Sequence, residues 1–302
     1  MSTTGRTRPA DISVDGVTLS GLVAEPDSPP RALVLALHGH GMTARYFAGP
    51  VDPQLSLLEV GAALGFTVWA PDRLGYGASV GADPASFAMF PQADFLQLAL
   101  ARFAEDYSLG AGCFLLGHSF GLKLALTMAA SPGKIPVLGV DGSGSGLMYT
   151  FDPDGGRPQS LPGDVNPSWG PKHLYPPGTF AAGLLPVAPT APIPNREAAE
   201  WPDDLLRFAD RIRVPVRFTF ADHERLWVVS DEHFAALRTA LANCLRVEIG
   251  IQPGSGHNIS LSTVARAYHL KALAFAEECI LASADGRPAG AESRRVSGHR
   301  GH

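Results

Sequence analysis

Five residues, Gly117-His118-Ser119-Phe120-Gly121, place a hydroxyl between two glycines. An apolar run at 113–116 precedes them and a helix-like run at 122–130 follows. Strand, sharp turn, helix is the setting in which G-x-S-x-G presents a serine nucleophile. A bend that tight leaves no room for a side chain two residues before or after the serine, so glycine at 117 and 121 fits sterically. Ser119 is then pushed out above the sheet edge, with its hydroxyl at a helix N-terminus. The bland alternative is a serine in an ordinary glycine turn; the flanking runs favour the nucleophile.

A serine hydroxyl needs a base to take its proton and a third group to orient that base. The candidate base is His257, in Gln252-Pro253-Gly254-Ser255-Gly256-His257-Asn258, between the last strand-like run and the last helix-like run. The other histidines have weaker claims. His118 lies inside the turn, His38 and His40 belong to a different loop, and His223 and His233 lie near a candidate acid. His173, His269, His299 and His302 have no motif around them.

In the chain order Ser, acid, His, the acid follows a strand between 119 and 257. Two loops qualify. Ala221-Asp222-His223-Glu224 offers Glu224, taken first, and Asp222, taken second; Val140-Asp141-Gly142 offers Asp141, taken third. Each could instead be a solvated or helix-capping acid, and Asp222 could pair with Arg225.

An oxyanion formed on the way needs backbone N–H groups aimed at it. The amide of Phe120, at the positive end of the following helix, supplies one. The loop His38-Gly39-His40-Gly41 supplies the other, with the amide of His40 the best placed. His38 and His40 alone, without a third ligand, fall short of a zinc site. No metal or cofactor is expected.

The elements that must position these groups can be read from the apolar runs. Strand-like runs fall at 32–37, 66–70, 113–118, 137–140, 214–220 and 245–251, and 12–22 alternates around Asp15-Gly16, a hairpin dipeptide. Runs apolar throughout predict a sheet covered on both faces. Helical spacing falls at 52–64, 94–108, 122–131, 200–212, 231–242 and 261–282. Strands alternating with helices imply an α/β fold with a mostly parallel sheet. The expected organisation is a flexible tail at 1–10, a core built from 11–144 and 200–283, and a disordered tail at 284–302. The Pro- and Gly-rich stretch 145–199, with scattered aromatics, is expected to form a lid.

The net charge of −5 gives no basic footprint for nucleic acid. No stretch approaches the roughly 18 apolar residues of a membrane span. The first ten residues lack the apolar centre of a secretory signal. Three widely spaced cysteines, Cys113, Cys244 and Cys279, suggest free thiols. A cytoplasmic location is the default expectation.

Four pieces in order resemble the α/β-hydrolase superfamily over roughly residues 12–282: His38-Gly39-His40-Gly41, Ala70-Pro71-Asp72-Arg73-Leu74-Gly75-Tyr76-Gly77-Ala78-Ser79, Gly117-His118-Ser119-Phe120-Gly121, and Gly256-His257-Asn258. The resemblance implies an eight-stranded, mostly parallel sheet covered by helices, with a Ser–acid–His triad at its carboxyl edge. It also implies a cap between the sixth and seventh strands, matching 145–199. Position favours Glu224 as the acid, although members of the family commonly carry Gly-x-x-Asp where this chain reads Ala221-Asp222-His223-Glu224. Epoxide hydrolases and haloalkane dehalogenases of this fold use an aspartate nucleophile, and serine at 119 argues against both.

The expected activity is hydrolysis of a carboxylic ester or thioester of a small to medium apolar acyl substrate, free or borne on a carrier. The rivals are acyl transfer or cyclisation, elimination from an ester, and ligand reception without catalysis. Neither nucleic acid nor membrane is an expected partner.

Overall fold

The computed structural model describes residues 5–131, 133–156, 158–181, 183–189 and 196–284. In chain order the strands are β1 (Arg8–Pro9), β2 (Ile12–Val14), β3 (Val17–Leu19), β4 (Gly21–Ala24), β5 (Leu33–Leu37), β6 (Thr67–Pro71), β7 (Cys113–His118), β8 (Val137–Ser143), β9 (Val216–His223) and β10 (Val247–Gly256). The helices are α1 (Leu57–Ala63), α2 (Met89–Asp106), α3 (Phe120–Ala130), α4 (Arg196–Phe208), α5 (Asp231–Ala240) and α6 (Ala265–Ala284).

Eight strands form one sheet in the order β1-β4-β6-β5-β7-β8-β9-β10. The pairings from β6 through to β10 are parallel, and β4 is antiparallel to both of its neighbours. β2 and β3 form a separate hairpin at the Asp15-Gly16 turn, where both residues have positive φ.

The central strands are apolar on both faces because both faces are covered. In β5, Leu33, Leu35 and Leu37 belong to the buried cluster that holds residues of α2, α3, α4 and α5, while Val34 and Ala36 belong to the one that holds residues of α1 and α6. This is the period of two expected of a strand. Helix starts follow local capping: Ser56 accepts a hydrogen bond from Glu59 N at α1, and Ser230 from His233 N at α5.

Three boundaries differ from the sequence reading. Part of the expected flexible tail at 1–10 is tied down: β1 pairs with β4, and Thr7 N donates to Glu59 at 2.9 Å. Residues 1–4 and 285–302, and with them the expected disordered tail beyond Ala284, lie outside the described residues. α4 begins at Arg196, inside the stretch read as a lid, and β10 continues to Gly256. Cys113 and Cys279 are buried free thiols and Cys244 is half-buried. Among the described residues no helix is long and apolar enough to cross a membrane.

The chain between β8 and α4 is packed rather than loose where it is described. Trp169, Leu174 and Tyr175 are buried against the face that holds Tyr46 and Phe47. Residues 148–150 run alongside 226–228, with Val228 N donating to Met148 O at 2.8 Å and Thr150 N to Leu226 O at 3.1 Å.

Candidate active site

Ser119 sits between β7 and α3 with φ 54° and ψ −116°, a conformation that L-residues rarely adopt. The surroundings impose it. A Cβ on Gly117 would strike the Cα of Leu122, and one on Gly121 would strike the carbonyl oxygen of Leu37. Ser119 N donates to Ser143 O at 2.8 Å, which fixes the turn to the end of β8. Such strain persists only where surrounding contacts over-determine the backbone.

His257 follows β10, on the same edge of the sheet. Its Nδ1 lies 3.0 Å from both carboxylate oxygens of Glu224. Both groups are buried: His257 is 4% exposed and Glu224 9%. A carboxylate only accepts, so Nδ1 carries a proton, and it is the neutral form of the ring that offers a lone pair on Nε2. Glu224 Oε1 also accepts from Arg225 N and Leu226 N, each at 3.0 Å. The loop after β9 therefore grips the carboxylate while it holds the imidazole.

Asp222 and Asp141 do other work. Asp222 accepts from Gly254 N at 2.7 Å and Ser255 N at 2.9 Å, where β10 breaks register before the histidine. It therefore shapes the loop that carries His257. It does not pair with Arg225, which instead bonds Asp164 at 3.2 Å. Asp141, fully buried, pairs with Arg217 and accepts from Tyr268 OH at 2.9 Å. Burial raises its pKa and Arg217 opposes the rise.

Ser119 Oγ and His257 are not joined by a hydrogen bond among the described residues. They are brought to one place through two intermediaries. The imidazole of His257 lies against Gly144, next to the Ser143 carbonyl that holds the serine amide. The rings of His118 and His257 are 4.9 Å apart. Long or unmade nucleophile–base contacts are common before substrate binds.

His118 is more than a spacer in the turn. Its Nδ1 is 3.2 Å from Ser143 Oγ, its Nε2 is 3.2 Å from Asn258 Oδ1, and its ring stacks on Tyr46 at 4.5 Å. Asn258 Nδ2 in turn donates to Ser168 O at 2.7 Å. Burial first, then the neighbouring His257, holds the His118 pKa well below its ordinary value. A neutral ring with Nε2–H satisfies all these partners: it accepts from Ser143 and donates to Asn258. The residue after the base is thus tied both to the residue before the nucleophile and to the loop at 168.

The first oxyanion candidate, Phe120 N, opens α3, where no intrahelical carbonyl reaches it. Its dipole favours negative charge. The second, His40 N, belongs to the loop after β5. Gly39 in that loop packs on the nucleophile: a Cβ there would lie 3.1 Å from Ser119 Cβ. Gly41 N donates to Tyr76 OH at 2.9 Å, and the same hydroxyl is 3.4 Å from His40 Nδ1. His38 is fully buried, and its Nε2 accepts from Arg73 N at 3.0 Å. Among the described residues no group of three or more His, Cys, Asp or Glu side chains could hold a metal ion.

His233, near the acid loop, has a different task. Its Nε2 accepts from Leu147 N at 2.8 Å, and its Nδ1 donates to Val228 O at 2.6 Å. It pins 147–148 to the segment that follows Glu224. Sequence inspection misses this, because the amides it holds at 147 and 148 lie some 85 residues away in the chain.

Residues 33–269 match a family model described as the alpha/beta hydrolase family. No curated protein matches the chain. Among solved structures, a thermostable carboxyl esterase from Bacillus coagulans superposes with a TM-score of 0.67 at 16% identity, covering 92% of this chain and all of its own. An N-acyl homoserine lactonase complexed with N-hexanoyl homoserine gives 0.63 at 16% identity, covering 97% of this chain and all of its own. The thioesterase domain of a curacin biosynthetic pathway gives 0.57 at 17%, covering 88% and 99%. At these identities the likeness is one of fold.

Proposed function

Because the chain belongs to the alpha/beta hydrolase family, we propose that it is a serine hydrolase that cleaves a carboxylic ester or thioester through an acyl-enzyme. The carrying observation is the buried His257–Glu224 pair beside a serine on a strained strand-to-helix turn. Ser119 Oγ attacks the acyl carbon while His257 Nε2 takes its proton. Glu224 stabilises the imidazolium so formed and fixes the ring. The amides of Phe120 and His40 hold the tetrahedral oxyanion. His257 then returns the proton to the leaving alcohol or thiol, and water, activated by the same histidine, releases the acid.

The esterase, lactonase and thioesterase among the similar folds support this chemistry as a class. We take the stretch from 145 to 199 as a cap that shapes the acyl pocket. Its buried Trp169 and Tyr175, and Tyr149 stacked on Trp227 at 3.9 Å, suit a neutral, apolar acyl group, free or borne on a carrier.

The test is turnover of p-nitrophenyl esters of graded chain length beside acyl-thioesters, with mass analysis of products. Release of the free acid is the expected result. An alkene product would replace hydrolysis by elimination, an acylated acceptor would replace it by transfer, and a ligand retained unchanged would make the chain a receptor.

A further inference from the structure

Arg73 is fully buried, yet among the described residues no carboxylate pairs with its guanidinium directly; Glu197 acts on it only at longer range. A buried cation without such a partner is costly and needs dense compensation. The compensation here is specific. Nε donates to His38 O at 2.8 Å, Nη2 to Gly39 O at 3.4 Å, and Nη1 to Gln92 Oε1 at 2.6 Å. The guanidinium carbon lies 4.6 Å from the Phe120 ring centre and 5.1 Å from that of Tyr76. The cation therefore touches both segments that carry the candidate oxyanion amides.

The peptide from Gly39 to His40 is trans, as are all described peptide bonds. In a planar trans peptide the C=O and N–H point in opposite directions. The Gly39 carbonyl is held from three sides, by His38 Nδ1 at 2.8 Å, Arg73 Nη2 at 3.4 Å and Met42 N at 3.4 Å. Fixing that carbonyl on the Arg73 side turns the His40 N–H to the opposite side. The charge behind the carbonyl also polarises the peptide, so the N–H becomes a better donor.

We propose that Arg73 is a positioning residue for the oxyanion hole, locking the His38–Gly39 carbonyls so that the His40 amide meets the charge that develops on the substrate oxygen. The role rests on the hydrolase reading given above. It explains why the loop after β6 folds back beneath the loop after β5, with Arg73 and Tyr76 both bracing it. Gln92, itself fully buried and anchored through its Nε2 to Phe87 O at 2.8 Å, keeps the guanidinium from turning away.

A group that serves only the transition state lowers kcat when lost and leaves KM little changed. The test compares the wild-type full chain with Arg73→Lys, Arg73→Met and Gln92→Leu. The readouts are kcat and KM on a p-nitrophenyl ester and inhibition by phenylboronic acid, whose boron becomes a tetrahedral anion on the serine oxygen. Arg73→Met is expected to lose about 100-fold in kcat, and Arg73→Lys and Gln92→Leu about 10-fold each, with KM within about threefold. Boronate affinity should fall in parallel with kcat. Should Arg73→Met fail to fold, the other two variants carry the test. Folded variants with wild-type kcat and boronate affinity overturn the role of Arg73 and leave the hydrolase reading intact; so does a loss confined to KM. A wild-type chain that neither turns over the ester nor is modified at Ser119 overturns the hydrolase reading first, and this role with it.

Discussion

Both carboxylate oxygens of Glu224 lie 3.0 Å from Nδ1 of His257. The two residues are 33 apart in sequence and come from the ends of adjacent parallel strands, β9 and β10. The other two candidate acids, Asp222 and Asp141, are engaged by other partners. Replacing each carboxylate should therefore give a different failure.

Glu224→Ala should keep the fold and lose about 10³- to 10⁴-fold in kcat, because the imidazole loses its tautomer and orientation. Asp222→Ala removes two backbone hydrogen bonds from the loop before His257, so a smaller loss, about tenfold, is expected. Asp141→Ala removes the fully buried partner of the half-buried Arg217 and strips Tyr268 OH of its acceptor, and should act mainly on stability, by about 2–4 kcal/mol. Ester kinetics beside thermal melts separate the three. Equal losses of activity across the set would mean that Glu224 has no special place.

Asn258 joins the base loop to His118 and to Ser168 O. Asn258→Ala should lower kcat about tenfold through misplacement of His257, with the melting temperature reduced by only a few degrees. Asn258→Asp keeps the acceptor for His118 but turns a second oxygen toward the Ser168 carbonyl, so it should not rescue activity. Full activity in Asn258→Ala would show that the tie does not position the base.

Lys123 is a buried cation on α3, one helical turn from the nucleophile. Its Nζ bonds Tyr149 OH at 3.2 Å and faces the rings of Trp201 and Trp227 at 5.1 and 5.7 Å. Burial pulls its pKa down to about 7, with Glu197 and Asp204 opposing the shift. An unfolded lysine titrates near 10.4. Between about pH 7 and that value the unfolded chain holds a proton that the folded chain does not, so stability should rise with pH through the window. Below about 7 the folded state bears the full cost of the buried charge. Lys123→Met should raise the melting temperature at pH 7 by about 2–6 °C and flatten the rise toward pH 10. An unchanged pH profile in the variant would show that this amine is not its source.

How far these features were legible depends on how local they are. The G-x-S-x-G turn, the oxyanion loop and His257 each lie within a few consecutive residues, next to an apolar run that reads as a strand. The sheet was legible for the same reason: β5, β6 and β7 are apolar on both faces. The choice among Glu224, Asp222 and Asp141 was not, since it depends on how the 252–257 loop wraps back onto β9. His118, Arg73 and His233 each act through hydrogen-bond partners that include residues far along the chain, 140, 35 and 86 positions away at the most distant. Lys123 carried one visible signal, a lone charge in the mostly apolar run 122–130. The tied strand β1 was hidden because it is only two residues long, Arg8 and Pro9, too short to show a strand pattern, and the Arg8 side chain that helps tie it finds Glu25 and Tyr107 only in the fold.

The most direct test is covalent. A fluorophosphonate probe reacts with a serine whose proton is taken by a neighbouring base, and mass spectrometry locates the adduct. The expected result is a single adduct on Ser119 in the wild-type chain and a loss of labelling rate of about 10³-fold or more in His257→Ala. An adduct on another residue, or undiminished labelling of Ser119 when His257 is removed, would contradict the partnership of these two side chains.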